Sequence, residues 1–183
     1  MLFRSARRLV AEGLGTAFLV AAVIGSGIMA QRLAGPDVAL ALLANTVATG
    51  AALVALILTF GPISGAHFNP VVTACLAASG EVSRRDVPLY MAAQIGGGLA
   101  GAVLANAMFE LDPITLAATA RHGSAQLLSE AVATFGLVGV ITATTRRRPA
   151  VTPFAVAAYI VEIRKSTRLN SSHIQKTRMP SSA

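Results

Sequence analysis

Four long apolar stretches constrain this chain more than any other feature of its sequence. They are 20 to 23 residues long and cover Leu9–Ala30, Val38–Phe60, Pro88–Phe109 and Ala125–Thr144. A helix rises about 1.5 Å per residue, so about 20 residues cross the roughly 30 Å hydrocarbon core of a bilayer. The sequence therefore predicts four full transmembrane helices. A fifth apolar stretch, Ala150–Val161, has only 12 residues and predicts a broken fifth helix.

The composition supports a membrane protein and excludes several other classes. Hydrophobic residues make up 54% of the chain and charged residues only 13%, whereas soluble domains are about 25% charged. The net charge of +7 does not indicate a nucleic-acid partner, because the sequence has no Trp and no basic segment interleaved with aromatic residues. The single cysteine excludes a disulfide framework and a cysteine-based metal site. We expect no cofactor, no metal ion and no nucleic acid, with the lipid bilayer as the surrounding partner.

The arginines predict the orientation of the chain. Positively charged residues favour cytoplasmic loops. If the N-terminus is inside, the inner segments carry eight arginines and the outer loops two; the inner ones are Arg4, Arg7, Arg8, Arg84, Arg85, Arg146, Arg147 and Arg148, and the outer ones are Arg32 and Arg121. The first apolar stretch is longer than the roughly 7–15 residues of a signal-peptide core, so we expect it to remain. The prediction is a multi-pass protein with a cytoplasmic N-terminus.

The loop Ile63–Thr73, between the second and third stretches, is the unusual element. The apolar segment Val71–Ser79 has helical character but only nine residues, too few to cross a bilayer. Irregular backbone is tolerated at membrane depth only where it is buried in protein or lines a wet cavity. A short apolar segment interrupted by Gly and Pro indicates a transport site. We therefore predict one re-entrant half-helix that enters from the cytoplasmic side.

The start of this half-helix carries residues suited to a pore. Asn69 is a preferred N-cap, and Pro70 suits the first helical position. Capping uses the Asn69 side-chain oxygen and leaves its NH2 group as a donor toward the lumen. The positive end of the helix dipole disfavours cations and does not penalise neutral solutes. Gly61 and Gly65 are predicted to turn the backbone sharply, and the carbonyls of Ser64–His67 could form a ladder of acceptors.

A short sequence pattern that occurs twice predicts an inverted repeat. Glu12 precedes Thr16 by four residues in the first stretch, and Glu130 precedes Thr134 in the same way in the fourth, 118 residues later. The first and fourth helices would run in opposite directions, as in transporters built from inverted repeats. A partner for Asn69 would then lie near position 187, just beyond residue 183.

These residues resemble a known family. The segment Ser64-Gly-Ala-His-Phe-Asn-Pro-Val-Val-Thr73 resembles the first pore-loop signature of the aquaporin (major intrinsic protein) family, and Ala11–Thr16, Glu130 and Ala92–Gly97 look like further family positions. The resemblance covers about residues 8–160, and bacterial channels related to glycerol and arsenite channels look most similar. It implies an aquaporin-like inverted-repeat bundle of six helices and two half-helices, with a homotetramer as the intact assembly.

The resemblance also implies roles for single residues. Asn69 is a donor that contacts water or solute, and His67 lines the pore or braces the loop. Thr49 falls at the second-helix position of the selectivity constriction, where a small side chain suggests a wide aperture. Glu12 and Glu130 are expected to brace the backbone N–H groups of the pore loops.

Two departures from the family pattern stand out. Val71 replaces the Ala that follows Asn-Pro in the family motif, and we expect this larger side chain to shift the junction of the half-helices. The second motif, the selectivity arginine and a sixth helix are absent from the sequence.

The end of the chain differs from the rest. We expect residues 1–161 to form the transmembrane domain, truncated in its fifth helix. Residues 162–183 are expected to be an unrelated polar tail that looks like translated adaptor or linker sequence. A basic juxtamembrane segment attracted to anionic lipid is the alternative.

The resemblance thus implies a passive channel for water or small uncharged solutes in a bacterial inner membrane, with glycerol and arsenite as candidate solutes. We expect this chain to be an incomplete, poorly conducting fragment and not an enzyme, because it lacks an acid–base–nucleophile set. The alternative is an ion-coupled secondary transporter with a broken-helix binding site, which would need an acidic group beside Asn69.

Overall fold

The computed structural model of the chain describes residues 2–114 and 124–163. Within these ranges the chain forms helices joined by short loops, and it contains no strand. The helices are α1 (Leu2–Ala34), α2 (Val38–Ser64), α3 (Pro70–Ala78), α4 (Val87–Met108) and α5 (Ser124–Arg147); a 3-10 turn, Pro149–Val151, then leads into α6, residues 152–163. The predicted all-α class is confirmed.

Four helices are long and apolar enough to cross a membrane. The spanning parts are Ser5–Ala34, Val38–Ser64, Val87–Met108 and Leu127–Arg147, and Pro149–Ile163 forms a shorter apolar helix. This pattern confirms the four predicted spans and the shorter fifth helical segment. The described part of α6 continues two residues past the expected domain boundary at residue 161, and the expected tail from residue 164 onward lies outside the described residues.

The predicted turn at Gly65 is confirmed, whereas the predicted turn at Gly61 is wrong. Gly61 does not turn the backbone; α2 continues through Pro62 to Ser64, and the Gly65 N–H donates to the Gly61 carbonyl at 2.9 Å. Gly65 adopts a left-handed conformation with φ of 95° and ends the helix, as glycine commonly does. The helical hydrogen bond to Gly61 decides between two glycines that look equally suited to a turn in the sequence.

Small residues bring α1 and α4 into direct backbone contact. A methyl group on Gly97 would overlap the backbone carbonyl of Gly13, and one on Gly101 would overlap that of Ala17. Membrane helices use small residues in this way because their packing relies on close van der Waals contact. Helix α1 therefore packs closely against α4, and it also packs against α2.

The half-helix α3 is held in a second packing region. An apolar cluster joins α2, α3, α5 and α6 through Leu53, Val72, Leu76, Leu137, Val156 and Ala157. Helices α2 and α6 approach closely at Gly50, where a β-carbon would lie 2.7 Å from Val161 Cγ2. These contacts bury one side of α3 and leave its N-terminus at the loop that follows α2.

Candidate pore site

The nine-residue helix α3 begins as the sequence predicts. Asn69 is its N-cap, with an extended backbone, and the Asn69 Oδ1 accepts a hydrogen bond from the Val71 N–H at 2.8 Å. Pro70 occupies the first turn. The Asn69 Nδ2 group has no hydrogen-bond partner among the described residues, so it keeps both of its donors. Val71 is 49% exposed and lies beside the start of the half-helix.

The loop before Asn69 has an unusual backbone. Gly65 at φ 95°, Ala66 at φ 50° and Phe68 at φ 48° are all left-handed, a region that residues other than glycine seldom adopt. The buried Phe68 ring anchors this shape by packing edge-on against Phe60, with centroids 6.1 Å apart, and against Gly15, where a β-carbon would overlap the ring. Strained conformations of this kind persist only where the surroundings enforce them.

The side chain of Glu12 holds the loop from the inside. It is fully buried, and each carboxylate oxygen accepts two hydrogen bonds. Oε1 accepts from the Ser64 hydroxyl at 2.6 Å and the His67 N–H at 3.0 Å, and Oε2 accepts from the Phe68 N–H at 2.9 Å and Gln94 Nε2 at 2.8 Å. A buried carboxylate is tolerated only when its acceptor sites are satisfied. Four donors satisfy them here and tie the loop to α1 and α4.

Three further residues complete this network, and sequence reasoning assigned them no role in the site. Gln94, 1% exposed, donates from Nε2 to the Thr73 hydroxyl at 2.9 Å as well as to Glu12. Thr73, fully buried, also contacts His67 Nδ1 at 3.1 Å. The Tyr90 hydroxyl donates to the Ser64 carbonyl at 3.1 Å. Two sequence signals point to Gln94: it is an amide side chain within an apolar span, and it lies in the segment Ala92–Gly97 that resembles the family.

A cavity of about 340 Å³ lies next to this network. It opens at the end of the bundle where α1 begins, α2 ends and α4 begins, which we call the N-terminal face. Its lining comprises Arg8, Gly61, Pro62, Ile63, Ser64, Gly65, His67, Glu81, Val82, Ser83, Asp86 and Tyr90. The His67 ring packs against the Tyr90 ring with centroids 5.4 Å apart. One arginine, two carboxylates and several hydroxyl groups give the cavity a polar lining of mixed charge.

Thr49 lies deeper in the bundle. It is 2% exposed, and its hydroxyl donates to the Asn45 carbonyl at 2.8 Å. Asn45 in turn is joined to α1, because the Ser26 hydroxyl lies 2.8 Å from Asn45 Oδ1. The structure therefore places Thr49 in a buried polar cluster between α1 and α2, separate from the Glu12 network. Its predicted role at a constriction stays a prediction.

The two predicted bracing acids differ in their surroundings. Glu130 is exposed on α5, and no hydrogen bond joins it to another described residue. Its predicted role in bracing a second pore loop stays a prediction. The structure thus brings Glu12, Gly65, His67, Asn69, Pro70 and Val71 together and leaves Thr49 and Glu130 apart from them. Within residues 2–114 and 124–163, His, Cys, Asp and Glu side chains form no cluster of three that could hold a metal ion.

Comparison with known proteins gives consistent results. The family model described as "Major intrinsic protein" matches residues 2–168. The chain is 53% identical over 158 residues to aquaglyceroporin AqpS of Rhizobium meliloti (strain 1021), a match that covers 86% of this chain and 67% of that protein. It is 34% identical over 143 residues to aquaporin NIP1-3 of Oryza sativa subsp. japonica, covering 75% of this chain and 48% of the relative. Aquaporin NIP6-1 of Arabidopsis thaliana is 33% identical over 138 residues, covering 75% of this chain and 44% of the relative. The chain therefore spans two thirds of the bacterial relative and less than half of these two plant relatives.

Proposed function

The chain belongs to the major intrinsic protein family, and on that premise we propose that it forms half of a passive membrane channel for water or small uncharged solutes. Glycerol is a candidate solute because the 53% identical relative is named an aquaglyceroporin, and arsenite remains a second candidate. The solute gradient alone would drive flux, without a cofactor or a reaction.

One observation carries this proposal: the capped N-terminus of α3, held in place by a buried carboxylate. A helix N-terminus carries a partial positive charge of roughly +0.5, which disfavours cations and leaves neutral solutes unaffected. The free Nδ2 donors of Asn69 would turn the oxygen of a passing water or hydroxylated solute toward the protein. Because Glu12 and Phe68 fix the loop, these donors are positioned before the solute arrives.

The remaining assignments extend this proposal. The N-terminal face is cytoplasmic, in line with the eight arginines of the inner segments, and the membrane is a bacterial plasma membrane. The intact assembly is a homotetramer with one pore in each subunit. Thr49 forms part of the constriction, where its small side chain would admit a solute larger than water. The transmembrane domain comprises residues 1–161, and residues 162–183 do not contribute to the pore.

We further propose that this chain conducts poorly by itself. Its sequence contains one Asn-Pro dipeptide, Asn69-Pro70, whereas the family pattern needs two capped half-helices that meet. The ion-coupled transporter gains no support from the site: Glu12 accepts four hydrogen bonds, from Ser64, Gln94 and the His67 and Phe68 N–H groups, so this acid is not available to couple an ion.

Osmotic flux in proteoliposomes tests the proposal. Two samples are compared with empty vesicles: the chain itself, and a chimera in which residues 1–161 are joined to the segment of aquaglyceroporin AqpS that follows its matched part. The chimera is expected to accelerate shrinkage in water and re-swelling in glycerol, and the chain itself to add little. The same chimera with Asn69→Leu, which removes the donors, serves as the matched variant and should conduct less.

Three outcomes would contradict the account. A folded, correctly inserted chimera with no more flux than empty vesicles would refute the channel. Flux that requires a proton or sodium gradient would favour the transporter. Full conduction by the 183-residue chain would refute the proposed need for a second half-helix.

A further inference from the structure

A chain of buried hydrogen bonds leads from Glu12 to one ring nitrogen of His67. Gln94 Nε2 donates to Glu12 Oε2 at 2.8 Å and to the Thr73 hydroxyl at 2.9 Å. The Thr73 hydroxyl then lies 3.1 Å from His67 Nδ1. Glu12, Thr73 and Gln94 are at most 1% exposed, so water does not compete for the two hydrogen bonds that Gln94 Nε2 donates.

The direction of this chain is fixed at its Glu12 end. A carboxylate can only accept hydrogen bonds, and two of the four donors to Glu12 are backbone N–H groups, which cannot reverse their role. Gln94 must therefore turn its NH2 group, not its oxygen, toward Glu12. The second hydrogen of that NH2 group then points at Thr73, so the Thr73 hydroxyl acts as an acceptor toward Gln94.

Thr73 has one hydrogen left to donate and two neighbours at equal distance. The Asn69 carbonyl and His67 Nδ1 each lie 3.1 Å from its oxygen, and Gln94 Oε1 is farther away at 3.4 Å. If Thr73 donates to Nδ1, the Thr73 hydroxyl takes part in two hydrogen bonds. If Thr73 instead donates to the Asn69 carbonyl, its oxygen can accept two hydrogen bonds, one from Gln94 and one from His67 Nδ1–H. The Thr73 hydroxyl then takes part in three hydrogen bonds.

We propose that His67 carries its proton on Nδ1, and that Gln94 and Thr73 are positioning residues that select this tautomer. The tautomer of a histidine is set by the hydrogen bond that one of its nitrogens makes. The arrangement with three hydrogen bonds uses the hydrogen and both acceptor sites of the Thr73 hydroxyl, one bond more than the alternative. Nε2 then carries a lone pair and accepts hydrogen bonds.

The Nε2 lone pair of His67 lies where a ligand in the cavity could donate a hydrogen bond to it. A β-carbon on Gly65 would lie 2.9 Å from Nε2, and Gly65 and His67 both line the cavity at the N-terminal face. No described residue forms a hydrogen bond with Nε2. The cavity therefore presents an acceptor, and Asn69 presents donors farther along the loop. This order suits a neutral ligand with hydroxyl hydrogens, such as water or a small polyol. The assignment of the tautomer does not depend on the proposed channel, but this use of it does.

Nitrogen NMR of His67 tests the tautomer directly. The chain has three histidines, so a full-length H122Q/H173Q variant labelled with 15N-histidine and placed in lipid bilayers leaves one imidazole ring, whose Nδ1 and Nε2 signals report which nitrogen is protonated. At a pH of about 8.5, well above the ordinary histidine pKa of about 6.5, the ring is neutral. One additional hydrogen bond supports an excess of Nδ1–H over Nε2–H of about two- to tenfold. A predominant Nε2–H signal would overturn the proposal, whether or not a conducting chimera is obtained.

Substitutions of Thr73 test the positioning role. Thr73→Val keeps the shape of the side chain without the hydroxyl and should abolish the excess of Nδ1–H. Thr73→Ser restores the hydroxyl and should restore the excess. Thr16→Val is the matched control, because Thr16 is also a buried threonine, but among residues 2–114 and 124–163 its hydroxyl bonds only the Glu12 carbonyl, at 2.7 Å. If Thr73→Val retains the Nδ1–H excess, Thr73 does not select the tautomer. If Thr73→Val does not fold, the NMR measurement on the protein with Thr73 unchanged still decides which nitrogen of His67 carries the proton.

Discussion

The contact between α1 and α4 allows a sharp test because a matched control lies one residue away. Gly97→Ala would place a methyl group onto the backbone carbonyl of Gly13, whereas Gly96→Ala meets nothing within 4 Å. Both substitutions replace glycine by alanine in the interior of the same helix. Both therefore gain the same helix propensity, about 1 kcal/mol. The difference between them isolates the packing at the contact.

The size of that difference follows from what must move. A backbone carbonyl cannot rotate away as a side chain can, so α1 and α4 have to separate. Overpacking of this kind typically costs about 1–3 kcal/mol. We expect Gly96→Ala to be neutral or stabilising by up to about 1 kcal/mol, and Gly97→Ala to be less stable than Gly96→Ala by about 1–3 kcal/mol. Gly101→Ala, which meets the Ala17 carbonyl, should behave like Gly97→Ala.

The assay is reversible unfolding in mixed micelles, with the loss of helical circular dichroism as the signal. Equal unfolding free energies for Gly96→Ala and Gly97→Ala would refute the close approach of α1 and α4. The same result would also remove the basis for placing Glu12 and Gln94 in one network, because Glu12 lies on α1 and Gln94 lies on α4.

Two other predictions concern the pore loop. Glu12→Ala leaves the His67 and Phe68 N–H groups and Gln94 Nε2 without their acceptor; at about 1–3 kcal/mol for each unsatisfied group, we expect a loss of at least about 3 kcal/mol in the same assay, and a loss below 1 kcal/mol would contradict the bracing role. Gly65→Ala forces a methyl group into a left-handed residue at φ 95° and toward His67 Nε2, 2.9 Å away; we expect about 1–3 kcal/mol of destabilisation, whereas unchanged stability would refute the turn at Gly65.

The sequence predicts the spans and the half-helix well because both depend on length. About 20 apolar residues can cross a bilayer and nine cannot, so Val38–Ser64 and Pro70–Ala78 are distinguishable without any structure. The predicted turn at Gly65 is confirmed and the one at Gly61 is wrong, because the two glycines are equally plausible turning points by residue type. Only the hydrogen bond from the Gly65 N–H to the Gly61 carbonyl decides between them.

The network around Glu12 is harder to predict, because its members come from separate parts of the chain. Gln94 and Tyr90 reach it from α4, Thr73 from α3 and Ser64 from the end of α2. No spacing rule links these positions, since their meeting depends on how three helices pack. The Asn69 cap is different: it involves neighbouring residues only, and the sequence is sufficient to predict it.

The central claim is that α3 enters and leaves the membrane on the same side. Labelling of single cysteines tests it most directly, in a Cys75→Ser background that removes the native thiol. We compare Ser5→Cys at the N-terminal end of the first span, Asp37→Cys between α1 and α2, and Ser83→Cys after α3, each with a membrane-impermeant thiol reagent added to one side. The account predicts that Ser83→Cys is labelled from the same side as Ser5→Cys, and that Asp37→Cys is labelled from the opposite side. Labelling of Ser83→Cys from the same side as Asp37→Cys would mean that α3 crosses the membrane, and the half-pore would be refuted.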